Sequence, residues 1–185
     1  SRGLGDVYKR QKVIYAYNKP IGQVCTSKDA DPDSIFRYVE FPERVNYVGR
    51  LDKDSTGLLL LTNDGDLANE IQRSRNNHEK EYHVRVNTDI TEDFIKKMSE
   101  GVEILDTVTK PCKVKKTGTR NFSIILTQGL NRQIRRMCDA LHVRVVHLKR
   151  VRIMNIRLGS LRPGEFRTLT RGEEQELRRL VQKRS

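Results

Sequence analysis

Apolar residues occur along this chain in short runs that follow two different periods. Runs that are continuous, or that alternate with polar residues, predict β-strands. They lie at residues 13–17, 57–61, 82–86, 122–127 and 150–158. The first run ends at a turn signal, Asn18-Lys19-Pro20. The last alternates arginine with apolar residues, which predicts a single half-buried strand with a basic face.

Other apolar residues recur every three or four positions, which predicts amphipathic helices. Four are expected: one starting near Leu67 after a capping turn, one running from Thr91 to Gly101, one capped by Asn131, and one opened by the capping box of Thr170 and Glu173. Strands outnumber helices and do not alternate regularly with them. This pattern predicts an α+β domain with a mixed, largely antiparallel sheet.

The length and composition limit the class of protein. A chain of 185 residues allows one domain, or one domain divided into two lobes by a cleft. Residues 1–11 lack periodicity and predict a linker or tag remnant, so the domain is expected at 12–185. No apolar stretch approaches the ~18–20 residues that cross a bilayer. The spacing of the cysteines and histidines fits neither a disulfide framework nor a metal site, so we expect a cytoplasmic protein without a metal.

The charge of +12 is unevenly distributed. Residues 1–109 contain 16 Lys and Arg against 19 Asp and Glu, a net of −3, whereas residues 110–185 contain 20 against 5, a net of +15. A basic half of this kind is typical of a protein with a polyanionic partner. The alternative is a solvated surface that keeps the protein in solution, and charge alone does not separate RNA from DNA or acidic lipid.

The strongest local motif is Gly49-Arg50-Leu51-Asp52-Lys53-Asp54-Ser55-Thr56-Gly57. A glycine at each end of a polar loop lets the backbone bend sharply before the buried strand. The loop would then present Asp52 from a rigid element, with Arg50 and Lys53 favouring its ionised form. An ionised carboxylate can act as a nucleophile or base. The alternative is an Asx-turn residue without chemistry.

Asp52 and Asp54 together could also suggest a glycoside-hydrolysing pair. Such a pair needs one carboxyl with a raised pKa. No apolar residues around Asp54 would raise its pKa, so this interpretation is the weaker one.

A second motif is Gly129-Leu130-Asn131-Arg132-Gln133-Ile134-Arg135-Arg136-Met137. Arg132, Arg135 and Arg136 are expected on one side of a helix, crowded at its N-terminus, where the helix dipole also favours an anion. A carboxylate and an RNA phosphate are both candidates for that anion, and a plain basic helix face is the alternative.

A third motif, Lys80-Glu81-Tyr82, opens a predicted strand. Tyr82 could stack on an unpaired base, or it could be half-buried in the sheet. The chain has neither a P-loop nor a G-x-G-x-x-G motif, so no nucleotide cofactor is indicated.

In this order the motifs resemble those of the pseudouridine synthases of the RsuA/RluB/RluE/RluF branch. Four blocks match successively: Asn18-Lys19-Pro20 with Gly22, GRLDKDSTGLLLLTNDGDL, KEY and GLNRQIRRM. The segments HEKEY, VTKPCKVKK, QGLNRQIRRMC and RIMN are most similar to the large-subunit synthase of type F. The resemblance covers residues 12–180, and its motifs are specific in combination.

The resemblance implies a pseudouridine synthase fold with flanking helices and a central cleft. It also implies a catalytic Asp52 as nucleophile, Tyr82 stacked on the target uracil, and Arg135 paired with the catalytic carboxylate. Members of the family need no metal or organic cofactor. They isomerise a uridine in RNA by breaking the N-glycosidic bond, turning the uracil and rejoining it through C5. Three modes of action of the aspartate stay open: attack on the sugar C1′, attack on the base, or a different role.

The same resemblance implies a monomer that acts on a stem-loop of 23S rRNA, with tRNA left open as a second substrate. Seven residues are expected to bind this substrate: Arg50, Lys53, Lys80, Asn131, Arg132, Gln133 and Arg136. The S4-type RNA-binding domain that usually precedes this catalytic domain is expected to be absent. A noncatalytic RNA-binding module and a base- or phosphodiester-cleaving hydrolase are the alternatives.

Overall fold

A nine-stranded mixed sheet organises the computed structural model, which describes residues 11–73 and 77–184. The strands are β1 (Ile14–Lys19), β2 (Asn46–Val48), β3 (Thr56–Thr62), β4 (Lys80–Val86), β5 (Glu103–Ile104), β6 (Thr107–Val108), β7 (Lys113–Gly118), β8 (Asn121–Leu126), β9 (Val145–Ile153), β10 (Ile156–Arg157) and β11 (Phe166–Thr168). The helices are α1 (Ile35–Tyr38), α2 (Gly65–Arg73), α3 (Glu92–Glu100), α4 (Gln133–Ala140) and α5 (Arg171–Arg184). Residues 1–10 of the predicted linker lie outside the described part.

The strand order along the sheet is β11-β1-β3-β9-β4-β8-β7, with β2 paired to β3 and β10 to β9. Strands β5 and β6 form a separate two-stranded ribbon. The β3–β9 pairing is parallel and joins Thr56 to Lys149 and Gly57 to Arg150, while the other pairings between these strands are antiparallel. The prediction of an α+β fold with a mixed, largely antiparallel sheet is therefore confirmed.

Apolar side chains cover both faces of the half of the sheet built on β1 and β3. Alternate residues of a strand point to opposite faces. Leu58 and Leu60 therefore pack towards α2 and α5, and Leu59 and Leu61 pack into a second cluster that contains Tyr17. The continuous apolar run at residues 57–61 is explained by this burial on both sides.

The other half of the sheet has its own core. Strands β4, β8 and β9 pack against α3 and α4, with Phe94, Met98, Phe122 and Met137 among the buried side chains. Burial of these residues holds in place the two elements, β4 and α4, that carry the predicted functional residues. Among the described helices, none has the length and apolar character that a membrane span requires.

Most helix and strand predictions are confirmed, and two are wrong in detail. Strand β1 continues through Lys19 because it stays paired with β3 as far as Gly57. The predicted single strand at 150–158 is a hairpin of β9 and β10, because Met154 takes a left-handed conformation (φ 54°) that turns the chain. The Asp64 cap is present, with Leu67 N donating to Asp64 Oδ1 at 3.1 Å.

The predicted capping box at the start of α5 is also confirmed. Thr170 N donates to Glu173 Oε1 at 2.8 Å, and Glu173 N donates to Thr170 Oγ1 at 3.1 Å. Arg167 adds a bidentate pair, with its two Nη atoms 2.7 and 2.9 Å from the Glu173 oxygens. The Arg167 hydrogen bond is the main reason that the pKa of Glu173 falls from its ordinary 4.5 to about 2.

We expect the substitution Glu173→Gln to destabilise the fold by about 2–3 kcal/mol at pH 7. The folded-state pKa is depressed, so this contribution is fully present above pH 4.5 and is lost as the pH falls towards 2. Denaturant unfolding of both proteins at pH 7 and pH 3 measures the difference. Glu174→Gln is the control, because the i,i+4 pair of Glu174 with Arg178, whose side chains are 36% and 35% exposed, contributes under about 1 kcal/mol. An equal cost of Glu173→Gln at both pH values would contradict the prediction.

Candidate active site

The polar loop between β2 and β3 presents Asp52 on a tight turn. Gly49 and Gly57 have φ values of 74° and 111°, the left-handed region that favours glycine. Ser55 N donates to Asp52 O at 3.0 Å and closes the turn. Leu51 is buried in the core beside Cys25 and anchors the loop from below. The Asp52 side chain remains 43% exposed, so its carboxylate is accessible.

A cleft of about 1050 Å³ lies against this loop. Nine of the ten residues selected from the sequence line it: Arg50, Asp52, Lys53, Lys80, Tyr82, Asn131, Arg132, Gln133 and Arg135. The tenth, Arg136, lines a neighbouring cavity. Residues that are up to 85 positions apart in the chain therefore meet at one concave surface, and Asp52, Tyr82 and Arg135 share it.

The guanidinium that contacts Asp52 belongs to Arg132. Its Nη1 lies 3.3 Å from Asp52 Oδ2, and it also holds Asp54 through two hydrogen bonds of 3.0 and 2.7 Å. Those hydrogen bonds keep the pKa of Asp54 below its ordinary value. A carboxyl with a lowered pKa does not supply the general acid of a glycosidase pair, which argues against the hydrolase alternative.

The expected pairing of Arg135 with Asp52 is corrected by these contacts. Arg135 Nη2 instead donates to Asp54 O at 2.8 Å and to Ser55 Oγ at 3.2 Å, and lies 3.6 Å from Asp54 Oδ1. Arg132 precedes α4 in a left-handed conformation (φ 47°), so its side chain does not follow the helical direction of Arg135 and Arg136. Arg132 thus reaches the carboxylate, and Arg135 braces the loop that carries it.

Two further expectations at this site are wrong. Lys53 does not steady Asp52, because its Nζ forms an ion pair of 3.0 Å with Asp33. Asn131 does not cap α4: the helix begins after Arg132 without a side-chain cap, and Asn131 instead accepts from Arg136 Nη2 at 2.8 Å. The turn before α4 is held by Gln133, whose Oε1 accepts from Leu130 N at 3.1 Å.

Arg150 was not among the residues predicted from the sequence, yet it lines the cleft and is only 4% exposed. Its Nε donates to Leu58 O at 2.8 Å and its Nη1 to Arg50 O at 3.3 Å, so it ties β9 to the strand and loop of Asp52. Between the pairs Glu81–Arg152 and Tyr82–Arg150, one extra residue of β9 forms a bulge. Bulges re-aim side chains beside active sites. The register shift at this bulge is not readable from the alternating pattern.

Lys19 was also missed, because Asn18-Lys19-Pro20 was interpreted as a turn. The side chain of Lys19 is fully buried, and its Nζ donates to Pro20 O at 2.9 Å and to Gln23 O at 2.8 Å. Burial lowers its pKa from 10.5 to about 8. Lys19 pairs with Gly57 in the sheet, so a buried amine supports the end of the Asp52 loop.

The described residues contain no cluster of three or more histidine, cysteine, aspartate or glutamate side chains with the geometry of a metal site. The cleft instead combines one accessible carboxylate, several cations and two tyrosines, Tyr47 and Tyr82. Such a set can bind a polyanion and hold a planar base next to a nucleophile.

Comparison with known proteins gives concordant matches. The family model described as RNA pseudouridylate synthase matches residues 13–140. The chain is 53% identical over 173 residues to a dual-specificity RNA pseudouridine synthase RluF of Escherichia coli K12, covering 94% of this chain and 60% of that protein. It is 31% identical to a ribosomal large subunit pseudouridine synthase B of Bacillus subtilis, covering 95% of this chain and 75% of that protein.

A crystal structure of a pseudouridylate synthase superposes with a TM-score of 0.82 at 33% identity, covering 90% of this chain and 74% of that one. A human protein, RNA pseudouridylate synthase domain containing 1, shares the fold with a TM-score of 0.55 at 18% identity, covering 91% and 92% of the two chains. The present chain spans about 60% of the length of the curated RluF relatives that it matches.

Proposed function

This chain belongs to the RNA pseudouridylate synthase family, and on that basis we propose that it isomerises one uridine to pseudouridine in a stem-loop of 23S rRNA. The observation that carries the proposal is the position of Asp52, held on a braced loop and facing the same cleft as Tyr82. A protein that only binds RNA gains nothing from a carboxylate amid cations, because it repels phosphate.

The reaction is an isomerisation in which no atom is gained or lost. The bond from uracil N1 to the sugar C1′ breaks, the base turns, and a bond from C5 to C1′ forms. C5 loses its proton and N1 gains one. A carboxylate can serve as the nucleophile at C1′ or at the base, and we assign this role to Asp52. No electron carrier or metal is required, so we expect turnover to survive EDTA.

The remaining groups serve the nucleophile and the base. Arg132, 3.3 Å from Asp52, orients the carboxylate and stabilises its charge. Arg135 and Arg150 hold the loop through backbone carbonyls on either side of Asp52. We assign Tyr82, which lines the cleft, to stacking on the uracil and to assisting removal of the C5 proton.

A uridine inside folded RNA must be unstacked first, which costs a few kcal/mol. The net charge of +15 over residues 110–185 offsets this cost by binding phosphates. Arg50, Lys80 and Lys53 lie along the cleft and are assigned to substrate binding, as are Asn131, Gln133 and Arg136 around the start of α4. Asn131 and Gln133 act by holding the arginine-bearing turn.

We further propose that residues 12–185 act as a monomeric catalytic domain in the cytoplasm. The RluF relatives are named dual-specificity synthases, so tRNA is tested as a second substrate beside rRNA.

The test is incubation of the purified chain with unmodified 23S rRNA or with tRNA transcripts, followed by mass spectrometry and carbodiimide mapping of pseudouridine. We expect one converted position in rRNA, and that same position unmodified in cells that lack the gene. Tight binding with no conversion of either RNA would favour a noncatalytic binding module and overturn the proposal.

A further inference from the structure

A second cavity, of about 410 Å³, lies next to the cleft. Its lining consists of four arginines, one aspartate and one valine: Arg132, Arg135, Arg136, Arg144, Asp139 and Val145. Four arginines around one cavity repel each other unless negative charge lies near them. Asp139 is the only carboxylate in the lining, so the cavity carries an excess of positive charge.

Three of these arginines are held in place by hydrogen-bond acceptors of the protein. Arg132 is fixed by Asp54, Arg135 by Asp54 O and Ser55 Oγ, and Arg136 by Asn131. The Nε of Arg135 is buried and has no hydrogen-bond partner among the described residues. The guanidinium groups are therefore arranged before any ligand binds, and donor capacity remains at the site.

Arg144 completes the cavity from the start of β9. Its backbone is fixed, because Arg144 N donates to Asn87 Oδ1 at 2.9 Å and Asn87 N donates to Arg144 O at 3.0 Å. Its side chain is exposed and makes no hydrogen bond or ion pair within residues 11–73 and 77–184. An exposed arginine on a fixed backbone can reach a ligand at little cost in structural rearrangement.

The two cavities share a wall, since Arg132 and Arg135 line both. A nucleotide whose base enters the cleft keeps its covalently attached backbone beside that wall. We propose that the second cavity binds a backbone phosphate of the RNA next to the extruded uridine, with Arg144 and Arg136 as its principal ligands. This inference rests on the proposed function. It adds a binding site for the RNA backbone, which the cleft itself does not provide.

A phosphodiester suits this lining better than other anions. Guanidinium groups match two phosphate oxygens with paired N–H donors. A free phosphate would fit the same donors, but the shared wall favours a phosphate that is linked to the base in the cleft. The experiment separates the two sources.

The probe is a 23S rRNA stem-loop, bound by the wild-type chain and by Arg144→Ala over a range of KCl concentrations. We expect the variant to bind about three- to tenfold more weakly at 0.1 M salt, with the slope of log Kd against log salt reduced by about 0.7–0.9, one phosphate contact. Arg157→Ala is the matched control, because Arg157 is an exposed arginine near the far end of β9. An unchanged slope for Arg144→Ala, or an equal change in Arg157→Ala, would overturn the inference.

A second measurement locates the phosphate. Neutral methylphosphonate linkages are placed one at a time on either side of the target uridine. We expect one of them to remove the difference in affinity between the wild type and Arg144→Ala. A difference that persists with every linkage rejects a backbone phosphate in favour of free phosphate or general attraction. Conversion of uridine is measured separately. A wild-type chain that binds RNA with the expected salt dependence but converts no uridine would contradict the proposed function and leave the phosphate site supported.

Discussion

The substitution Asp52→Asn is expected to lower the rate of pseudouridine formation by at least about 10³-fold and to leave RNA affinity within a few-fold of wild type. An amide has the size of the carboxylate and can still accept a hydrogen bond from Arg132, which lies 3.3 Å away. It lacks the negative charge that makes the oxygen a nucleophile. Single-turnover conversion at saturating RNA measures the chemical step, and a filter-binding titration measures affinity.

The neighbouring carboxylate provides the matched control. Asp54 is equally exposed and makes the stronger contacts with Arg132, at 2.7 and 3.0 Å. Asp54→Asn keeps the backbone carbonyl that binds Arg135, so a reduction of about tenfold or less is expected. Loss of turnover in Asp54→Asn together with normal turnover in Asp52→Asn would identify Asp54 as the nucleophile and contradict our assignment.

The second large effect is expected at Gly57, where Gly57→Ala should destabilise the fold by about 3–5 kcal/mol. A Cβ there would lie 2.2 Å from Arg150 O and 2.7 Å from Arg150 N, and backbone atoms cannot rotate out of the way. The φ of 111° adds strain for any L-residue. Both costs fall where β3 meets β9, so the whole sheet would have to adjust. Denaturant unfolding monitored by circular dichroism measures the loss.

Gly65→Ala is the control for this substitution. Gly65 begins α2, has no atom within 4 Å of the added Cβ and has no left-handed φ. Alanine there should change stability by under about 1 kcal/mol, with a gain favoured because the unfolded chain loses freedom. Similar losses at Gly57 and Gly65 would show that the close approach to Arg150 is unimportant.

Local signals were sufficient to predict much of this fold. Several helix starts were readable from neighbouring residues, as at Asp64, Thr91 and Thr170, although the cap predicted at Asn131 is wrong. The two-sided burial of β3 followed from its unbroken apolar run, and the bends at Gly49 and Gly57 followed from the loop composition. These features are set by neighbours in the sequence, so the sequence alone specifies them.

Partner choice within the site could not be predicted in the same way. Whether Arg132 or Arg135 contacts Asp52 depends on a left-handed residue before α4 and on a loop 80 positions earlier. Lys53 forms its ion pair with Asp33, a residue that is distant in the sequence. Burial of Arg150 depends on the pairing of β9 with β3, and one bulged residue shifts the register of β9 against β4. Such outcomes are decided by tertiary packing.

The parallel junction of β3 with β9 joins only two residue pairs, and it divides the sheet between the strands that support Asp52 and those that support Tyr82. The proposed nucleophile, Asp52, and the proposed stacking ring, Tyr82, are therefore supported by strands on opposite sides of this junction. Neither side of the sheet contains both proposed catalytic groups. The active site therefore forms only when the tertiary structure brings the two sides together. A nascent chain would carry an inert carboxylate until β9 has been synthesised and has docked.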